Sequence, residues 1–380
     1  MKKILAIMLA ALMIFSFAAC GNDDGGDKTT EFKVGVIHIG NPADGSGYSY
    51  AHDQGIVAMQ KNLGLTDAQI IRKNNIDDTN AAATKTAIEE CIEEGCNIIF
   101  GTSWGYMETM AELANQYPDV IFSHGTGYMS NDTNFNNYFG RIYQARYLAG
   151  IAAGLKTQTD KIGYVAAMDI TNSEVTGGLN AFAMGVQAVN PDAKVYVKVT
   201  NTWFSVDLEG QAATALLDLG CDVIGQHCDT TAPQLAAEQA GVWGCGYNSD
   251  MSPDAPGAHL TAPIWNWGVY YTSATQAAMD GKWAEFGNYF GGMKEGFVDI
   301  SPLSSLVAEG TAEKIEEARA LIVSGEYDVF QGAYIDADGT VIDKDIVDNQ
   351  GNVVIKAGEK LSDSTITGGI NWYFENVIAQ

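Results

Sequence analysis

Aromatic rings and carboxylate or carboxamide groups follow the apolar segments of this chain, at the points where those segments end. The first segment, FKVGVIHIG, runs directly into DGSGYSYAHDQG. Rings stack on flat ligands, while amides and carboxylates hydrogen-bond to a ligand's polar edge, so the pattern predicts a small-molecule site. About half of the candidates are expected to contact ligand and the others to support them. The candidates are Tyr48, Tyr50, Trp104, Trp203, Phe204, Asp229, Asn248, Asp250, Trp265 and Trp267.

The first glycine-rich turn does not match a nucleotide-binding loop. A phosphate loop that begins at Gly40 needs a lysine directly after Gly45, where Ser46 stands. The dinucleotide pattern fails as well, because Tyr50 occupies the place of its third glycine. This turn therefore offers aromatic faces instead of backbone amides that surround a phosphate.

A serine motif raises an enzymatic alternative. The segment GTSWG places Ser103 between a predicted strand and a predicted helix, which is the setting of a hydrolase nucleophile. Asp229 and His259 follow in the order that such a triad requires, but they belong to the second half of the predicted fold. Strand-end turns rich in small polar residues are common in folds of this class, so we interpret Ser103 as a turn residue.

The elements that must position these residues alternate between strand and helix. Alternation of this kind predicts an α/β fold with parallel, doubly wound sheets. The pattern restarts after the helical segment YQARYLAGIAAGLKT, so the chain is expected to form two lobes with a crevice between them. Near the end, YIDADGTVIDKDIVDNQGNVVIKAG alternates around two turns and predicts a hairpin. Its DADG turn lacks the bidentate acid that a calcium-binding loop carries at a later position, so we interpret it as a hairpin turn. We expect the protein to bind no metal and no cofactor.

Charge narrows the class of partner. The formal net charge is −26, and removing residues 1–19, which carry two lysines and no acid, leaves −28. Nucleic acid and anionic lipid surfaces are therefore excluded as partners. The four arginines, Arg72, Arg141, Arg146 and Arg319, lie outside the glycine-rich turns. An uncharged, planar ligand fits this chain better than a multiply charged anion.

The amino terminus predicts export and anchoring. Residues 1–19 contain two lysines and then an apolar run, which is the pattern of a signal peptide. The segment FAACG resembles a bacterial lipobox, so we expect cleavage before Cys20 and acylation of its sulfur. Residues 20–32 then form a flexible tether. The protein is expected on the extracytoplasmic side of the cell membrane, held there by lipid.

The remaining cysteines predict free thiols. Their number is odd, no CxxC spacing occurs, and they lie within apolar runs, as buried unpaired cysteines do. These residues are Cys91, Cys96, Cys221, Cys228 and Cys245.

The ordered motifs GYSYAHDQG, YLAGIAAGLKT, KIGYVAA, AFAMGVQAVNP, NTWF, GYNSDMSPDAP and WYFENV resemble the basic membrane lipoprotein family. This family contains purine nucleoside receptors that serve ABC transporters. The resemblance implies a type I periplasmic binding protein, with two Rossmann-like lobes joined by three hinge crossovers. The first lobe is predicted at residues 33–140 with 265–305, and the second at residues 141–264 with 306–380.

The resemblance also implies residue roles. Tyr48 takes the position of an aromatic platform, and either Phe204 or the adjacent Trp203 takes that of a second one. Asp250, with Asn248 beside it, corresponds to the acid that binds ribose, while TAPIWNWGVYY replaces a segment that usually carries a lysine. A purine base is the first expectation, a purine nucleoside the second and riboflavin or another flat heterocycle the third. The protein is expected to be a non-enzymatic monomer that works with an ABC permease.

Overall fold

The computed structural model of the protein describes residues 31–379. Strands and helices alternate along most of this part, as the sequence predicts. The strands are β1 Val34–Ile37, β2 Ile70–Lys73, β3 Ile98–Gly101, β4 Ile121–Gly125, β5 Phe135–Gly140, β6 Lys161–Ala166, β7 Lys194–Val199, β8 Val223–His227, β9 Trp243–Cys245, β10 His259–Thr261, β11 Pro263–Trp265, β12 Tyr289–Gly291, β13 Val298–Ile300, β14 Ala333–Ile335, β15 Val341–Asp343, β16 Ile346–Val347, β17 Val353–Ile355 and β18 Val377–Ala379.

Helices connect these strands. The α-helices are α1 Gly47–Leu63, α2 Ala81–Glu93, α3 Met107–Gln116, α4 Ile142–Lys156, α5 Ser173–Val189, α6 Val206–Asp218, α7 Ala232–Gln239, α8 Trp267–Met279, α9 Trp283–Phe286, α10 Thr311–Ser324 and α11 Asp363–Gly368. Short 3₁₀ helices occur at Pro42–Asp44, Asp67–Gln69 and Trp104–Tyr106.

Two parallel six-stranded sheets carry the fold. The first has the order β12-β5-β4-β3-β1-β2, and the second has the order β10-β9-β8-β6-β7-β18. Central strands such as β1 and β3 are continuous apolar runs that are buried on both faces. Such runs are typical of parallel sheets, because helices cover both sides. Each sheet therefore presents the carboxyl ends of its strands at one edge, which is where ligands bind in this architecture.

The chain passes between the two sheets three times. It leaves the first sheet after β5, returns through β11 between β10 and β12, and crosses again through β13 on its way to β18. The crossing strands β11 and β13 pair with each other in antiparallel fashion. This is the predicted arrangement of three crossovers, and the chain from Phe32 onward forms one compact unit. The exact lobe boundaries stay a prediction.

Helices α4 and α5 pack unusually closely. A Cβ atom at Gly150 would lie 2.1 Å from the carbonyl oxygen of Phe182, and one at Gly185 would lie 2.0 Å from that of Tyr147. Only glycine allows the two backbones to approach so closely, because any side chain would collide with the opposite carbonyl. The predicted helix YQARYLAGIAAGLKT is thus a central, almost fully buried element.

Three local predictions can be compared with the structure. The sequence predicts that Tyr48 and Tyr50 lie in a turn before helix α1. The helix instead begins at Gly47, so both tyrosines lie in its first turn. The carboxyl-terminal segment forms two hairpins, β14–β15 and β16–β17, instead of one. The prediction of free thiols is confirmed, since all five cysteines between residues 31 and 379 are unpaired and buried. Cys20 lies outside the described residues.

Within the described residues, no helix combines the length and apolar character that crossing a bilayer requires.

Candidate ligand-binding cleft

The first lobe contributes an aromatic surface at the start of α1. The hydroxyl of Tyr48 donates a hydrogen bond to the carbonyl of Thr102, just beyond the end of β3. The Tyr48 ring meets His52 edge to face at 4.4 Å between centroids and meets Trp267 in the same way at 6.4 Å. Because the hydroxyl already donates its hydrogen to Thr102, Tyr48 can offer a ligand its ring but no hydrogen-bond donor.

A stack of rings supports Tyr48 from behind. Trp267 stacks on His52 at 4.0 Å and on Trp265 at 4.5 Å, with interplanar angles of 19° and 16°. Trp267 is fully buried and Trp265 is 5% exposed. We call Tyr48, His52, Trp265 and Trp267 the aromatic column. The two tryptophans therefore lie in the core behind Tyr48.

The second lobe contributes residues from the ends of β7, β8 and β9. The amide of Asp229 donates to the carbonyl of Trp203 at 2.9 Å, which ties two strand-end loops together. The side-chain amide of Asn248 donates to Oδ1 of Asp229 at 2.8 Å. Asn248 has a φ of 68°, a left-handed backbone that asparagine adopts more readily than most residues. These contacts fix Trp203, Asp229 and Asn248 at one edge of the second sheet.

The two lobes meet at the first turn of α1. The amide of Gly47 donates to Oγ of Ser249 at 3.2 Å. A Cβ atom at Gly47 would lie 2.6 Å from the carbonyl oxygen of Asp229, and its φ of 82° also disfavours a side chain. Glycine is needed at this position because the backbones approach so closely. The strand-end edges of the two sheets thus face each other around Tyr48 and Asp229.

A buried arginine lies beneath these residues. Arg146 from α4 is 1% exposed, and its Nη1 donates to the hydroxyl of Tyr164 at 2.7 Å and to the carbonyl of Gln226 at 2.9 Å. Its guanidinium lies 4.0 Å above the ring of Tyr247, a cation–π contact. Nε and Nη2 of Arg146 have no hydrogen-bond partner among the described residues.

Two acids complete the second-lobe side of the cleft. Oε1 of Glu174 lies 3.7 Å from Nε2 of His227. Burial raises the pKa of Glu174 to about 7, against the opposing charge of Arg146. Burial also raises the pKa of Asp229 to about 7, while the hydrogen bond from Asn248 opposes that shift. We call Arg146, Glu174, His227, Asp229 and Asn248 the polar cluster.

The pKa values of His227, within the cluster, and of Tyr48, across the lobe boundary, are shifted as well. Burial lowers the pKa of His227 well below its usual value, and the charge of Arg146 acts in the same direction. Burial raises the pKa of Tyr48, and the charges of Glu174 and Asp229 add to the shift across the lobe boundary. His227 and Tyr48 are therefore neutral at physiological pH, which leaves the two acids as the groups that titrate there.

The structure brings together four of the ten predicted residues at this junction: Tyr48, Trp203, Asp229 and Asn248. A neighbouring groove of about 740 Å³ between α1, α8 and β11 is lined by five of the ten, so that Asn248 borders both places: Tyr50, Asn248, Asp250, Trp265 and Trp267. Trp104 and Phe204 are exposed at 56% and 63%. Trp104 packs on Tyr128 at 5.7 Å. Ligand contact stays a prediction for every residue of the set.

Three residues of the cleft are not among the ten that the sequence predicts: Arg146, Glu174 and Tyr247. Arg146 carried a usable signal, because a lone arginine inside the apolar helix YQARYLAGIAAG must find buried partners. Tyr247 stands directly before Asn248 at the end of β9 and belongs to the same strand-end pattern. Glu174 gave no signal, since an acid in the first turn of a helix is ordinary.

The geometry of a serine hydrolase is not assembled. Oγ of Ser103 donates to Asp78 at 2.6 Å, and no histidine contacts that hydroxyl. Nε2 of His259 lies 3.2 Å from Oγ of Ser301 and 3.4 Å from Asp250. Asp229 is engaged by Asn248. The three residues of the enzymatic alternative therefore lie in separate hydrogen-bond networks.

Comparison with known proteins identifies relatives of this chain. A sequence model of the family described as ABC transporter substrate-binding protein PnrA-like matches residues 32–333. A purine-binding protein of Brucella abortus is 36% identical over 91% of this chain and 93% of its own length. A putative ABC transporter glucose-binding protein of Haloferax volcanii is 35% identical over 83% of this chain and 78% of its own.

A solved structure gives the fold. An ABC transporter solute-binding protein of Aeropyrum pernix superposes with a TM-score of 0.65 at 17% identity, covering 78% of this chain and 93% of the other. At this identity the likeness concerns the fold alone. It confirms the predicted type I periplasmic binding protein fold.

Proposed function

The chain belongs to the PnrA-like family of ABC transporter substrate-binding proteins, and we propose that its ligand is a purine base or a purine nucleoside held between the lobes. The family is described as ABC transporter substrate-binding proteins, so the substrate-binding role follows from membership. The purine is our proposal. The purine-binding relative supports it, because the likeness covers nearly the full length of both proteins.

One observation in the structure supports the proposal most strongly. Aromatic residues of both lobes adjoin the hydrogen-bonded pair of Asp229 and Asn248: Tyr48 follows Gly47, which touches the backbone of Asp229, and the carbonyl of Trp203 accepts from the amide of Asp229. A flat ring between two aromatic side chains gains stacking from both lobes, and its polar edge reaches the acid and the amide. Micromolar affinity requires about 8 kcal/mol, which is within reach of such a sandwich.

Two other ligands deserve a direct test. Riboflavin carries a flat ring that also suits two aromatic faces. A hexose is suggested by the second relative, which is described as a putative glucose-binding protein. A sugar presents hydroxyls around its whole rim, and each buried hydroxyl needs a partner. The side of the cleft formed by the aromatic column offers mainly rings, and this favours the purine.

Calorimetry on the mature protein tests the proposal. Adenine, guanine, adenosine, guanosine, riboflavin and glucose are titrated in turn. We expect a purine to bind with a Kd near micromolar or tighter, since stacking and edge contacts act together. Absence of binding by every purine contradicts the proposal, and tight binding of glucose replaces it.

We further propose that Cys20 is acylated, that the protein is anchored on the outer face of the cell membrane, and that it delivers its ligand to an ABC permease as a monomer. The signal peptide, the lipobox-like FAACG and the polar tether support this proposal. Metabolic labelling with palmitate tests it. Label is expected in the wild-type protein and absent from Cys20→Ser, while equal labelling of both contradicts it.

We also propose that the protein has no hydrolase activity, since Ser103 and His259 lie in separate networks. Ester substrates should be turned over no faster by the wild-type protein than by Ser103→Ala. Esterase activity that is lost in Ser103→Ala would restore the enzymatic alternative.

A further inference from the structure

Two acidic side chains of the polar cluster, Glu174 and Asp229, lie in the cleft together with the cation Arg146. We propose that the two acids hold one proton between them when ligand binds, and that this proton selects a 6-aminopurine such as adenine over a 6-oxopurine such as guanine. The inference rests on the proposed purine-binding function and specifies its ligand class.

The two acids are free to act on a ligand. The carboxyl of Glu174 makes no hydrogen bond within the described residues, and its closest charged neighbour is Nε2 of His227 at 3.7 Å. The side chain keeps 28% exposure, which leaves it open to the cleft. Asp229 accepts one hydrogen bond at Oδ1 from Asn248, and its other oxygen has no partner there. Both carboxyls therefore retain hydrogen-bonding capacity for a ligand.

Unpartnered atoms of buried residues independently indicate that something is recognised here. These atoms are Nε and Nη2 of Arg146, Nε2 of His227 and Oδ1 of Asn248. Each of the three residues is at most 1% exposed. Buried polar atoms nearly always have a partner, so a ligand or an ordered water is expected to satisfy them.

Charge balance favours one shared proton. Arg146 supplies one positive charge, so two ionised acids would leave a net negative charge in a buried site. With one proton on the pair, Arg146 balances the acid that stays ionised, which avoids the cost of an uncompensated charge on the pair. The buried carboxyl of Glu209 lies outside this balance, because it is compensated by hydrogen bonds from the amide of Ser205 and from the amide and hydroxyl of Thr230.

A protonated carboxyl and an ionised one recognise different bases. A carboxylic acid offers a donor and an acceptor side by side, while a carboxylate offers two acceptors. The edge of adenine that carries the amino group presents a donor beside an acceptor nitrogen, and it pairs with the neutral acid. The corresponding edge of guanine presents two adjacent donors and pairs with the carboxylate. A pair that holds a proton therefore favours the adenine type.

The titration of the pair depends on every group that faces it. Burial raises the pKa of both acids to about 7, so the free protein changes protonation near neutral pH. His227 and Tyr48 stay neutral there. Its titratable or charged neighbours lie on α1, α4, β6, α6 and the ends of β8 and β9. They are Tyr48, Arg146, Tyr164, Glu209, His227, Cys228 and Tyr247.

The sign of the pH dependence follows from this linkage. Each acid of the free protein has a pKa of about 7, so the pair holds one proton near neutral pH and two at lower pH. A ligand that requires one proton on the pair binds most tightly near neutral pH. Above that range the Kd for adenine rises by up to about tenfold per pH unit until the pKa of the complex is reached, and below that range it rises again as the second acid is protonated. Guanine, if it binds the ionised pair, shows the opposite slope.

Calorimetry of adenine and guanine between pH 6 and pH 8.5, in phosphate and in Tris, tests the inference. The two buffers differ in heat of ionisation, so the difference in observed heat counts the protons taken up on binding. We expect uptake of about one proton for adenine above pH 7, and an adenine Kd that weakens as the pH rises. A flat profile without proton uptake, or an adenine Kd that tightens as the pH rises above 7, overturns the inference. Absence of binding by any purine at any pH instead overturns the proposed function.

Matched variants locate the proton. Glu174→Gln and Asp229→Asn fix one group as a neutral amide, which offers a donor and an acceptor at every pH. The variant at the acid that carries the proton should keep near-wild-type adenine binding near neutral pH and lose the rise of the Kd above pH 7, because its amide has the donor and acceptor of the neutral acid. The other variant should keep that rise. Glu326→Gln changes an exposed glutamate outside the cleft and should keep the wild-type slope. If all three variants keep that slope, the inference is wrong.

Discussion

The aromatic column and the polar cluster face each other across the cleft and differ in how complete they are. In the column, contacts run from ring to ring, and the hydroxyl of Tyr48 is already bonded to Thr102. In the cluster, Arg146, His227 and Asn248 all keep buried polar atoms without partners. Within the described residues the column leaves two buried polar atoms without partners, Nε2 of His52 and Nε1 of Trp267, whereas the cluster leaves four. The cluster also has carboxyl oxygens of Glu174 and Asp229 that accept no hydrogen bond, so it depends more on a ligand or water to complete it.

This difference shows how one site can combine stability with selectivity. Stacking on the column is insensitive to the identity of a flat ring, because every aromatic ring has a π-face. Hydrogen bonds in the cluster depend on the pattern of donors and acceptors, and a mismatch leaves a buried group unpaired. Affinity is thus expected to come from both sides and discrimination mainly from the cluster.

The largest expected effect is a loss of stability in the column. Trp267→Ala removes a fully buried ring that stacks on two others. The free energy of unfolding should fall by about 3–5 kcal/mol, the range for truncating a buried aromatic residue. Denaturation by urea measures it. Trp104→Ala, at a residue that is 56% exposed, is the matched control and should change stability by less than about 1 kcal/mol.

If Trp267→Ala keeps its stability but loses ligand binding, the tryptophan belongs to the site and the boundary that we draw between column and ligand is wrong.

Tyr48→Ala should act on binding more than on folding. Stacking contributes roughly 0.5–1.5 kcal/mol beyond the burial of area, and the loss of the platform also exposes ring surface. Binding should weaken by more than about tenfold, while the melting temperature of the ligand-free protein changes little. A large loss of melting temperature with unchanged affinity would identify Tyr48 as ordinary core. Tyr48→Phe separates the ring from the hydroxyl that binds Thr102.

Trp203 and Phe204 can be separated by their surroundings. The backbone of Trp203 is bonded to Asp229 and its ring lies 5.9 Å from His227, whereas Phe204 is 63% exposed. Trp203→Ala should weaken binding by more than about tenfold, and Phe204→Ala by less than about threefold. Both are measured by calorimetry with the same purine. The reverse order would make Phe204 the second platform.

The smallest expected signal concerns closure of the lobes. Gly47 touches Asp229 and Ser249 across the lobe boundary. We expect ligand to draw the lobes together and thereby to stabilise this contact. The radius of gyration from small-angle scattering should therefore fall when a purine is added. Gly47→Ala places a Cβ against Asp229 and should reduce that change. An unchanged wild-type profile at saturation would indicate a rigid, preclosed cleft.

The sequence predicted the α/β class, the two-lobe layout and the family, and the structure and comparisons confirm these predictions. They were accessible because buried parallel strands must be apolar along their length and alternate with helices. Two predictions were wrong: a single carboxyl-terminal hairpin, and a start of α1 after Tyr50. Both failed because turns and helix starts depend on tertiary contacts. Gly47 begins α1 and reaches Ser249 from its backbone, a contact that no local pattern reveals.

The candidate site could be predicted only in part. The sequence by itself determined that aromatic and amide side chains gather at strand ends, because residue order fixes which side chains follow each strand. Only the tertiary structure decided that Trp265 and Trp267 lie in the core, that Phe204 is exposed, and that Glu174 joins Asp229 above Arg146. The physical reason is that burial and charge coupling arise from elements far apart in the chain, and these elements meet only when the two sheets pack.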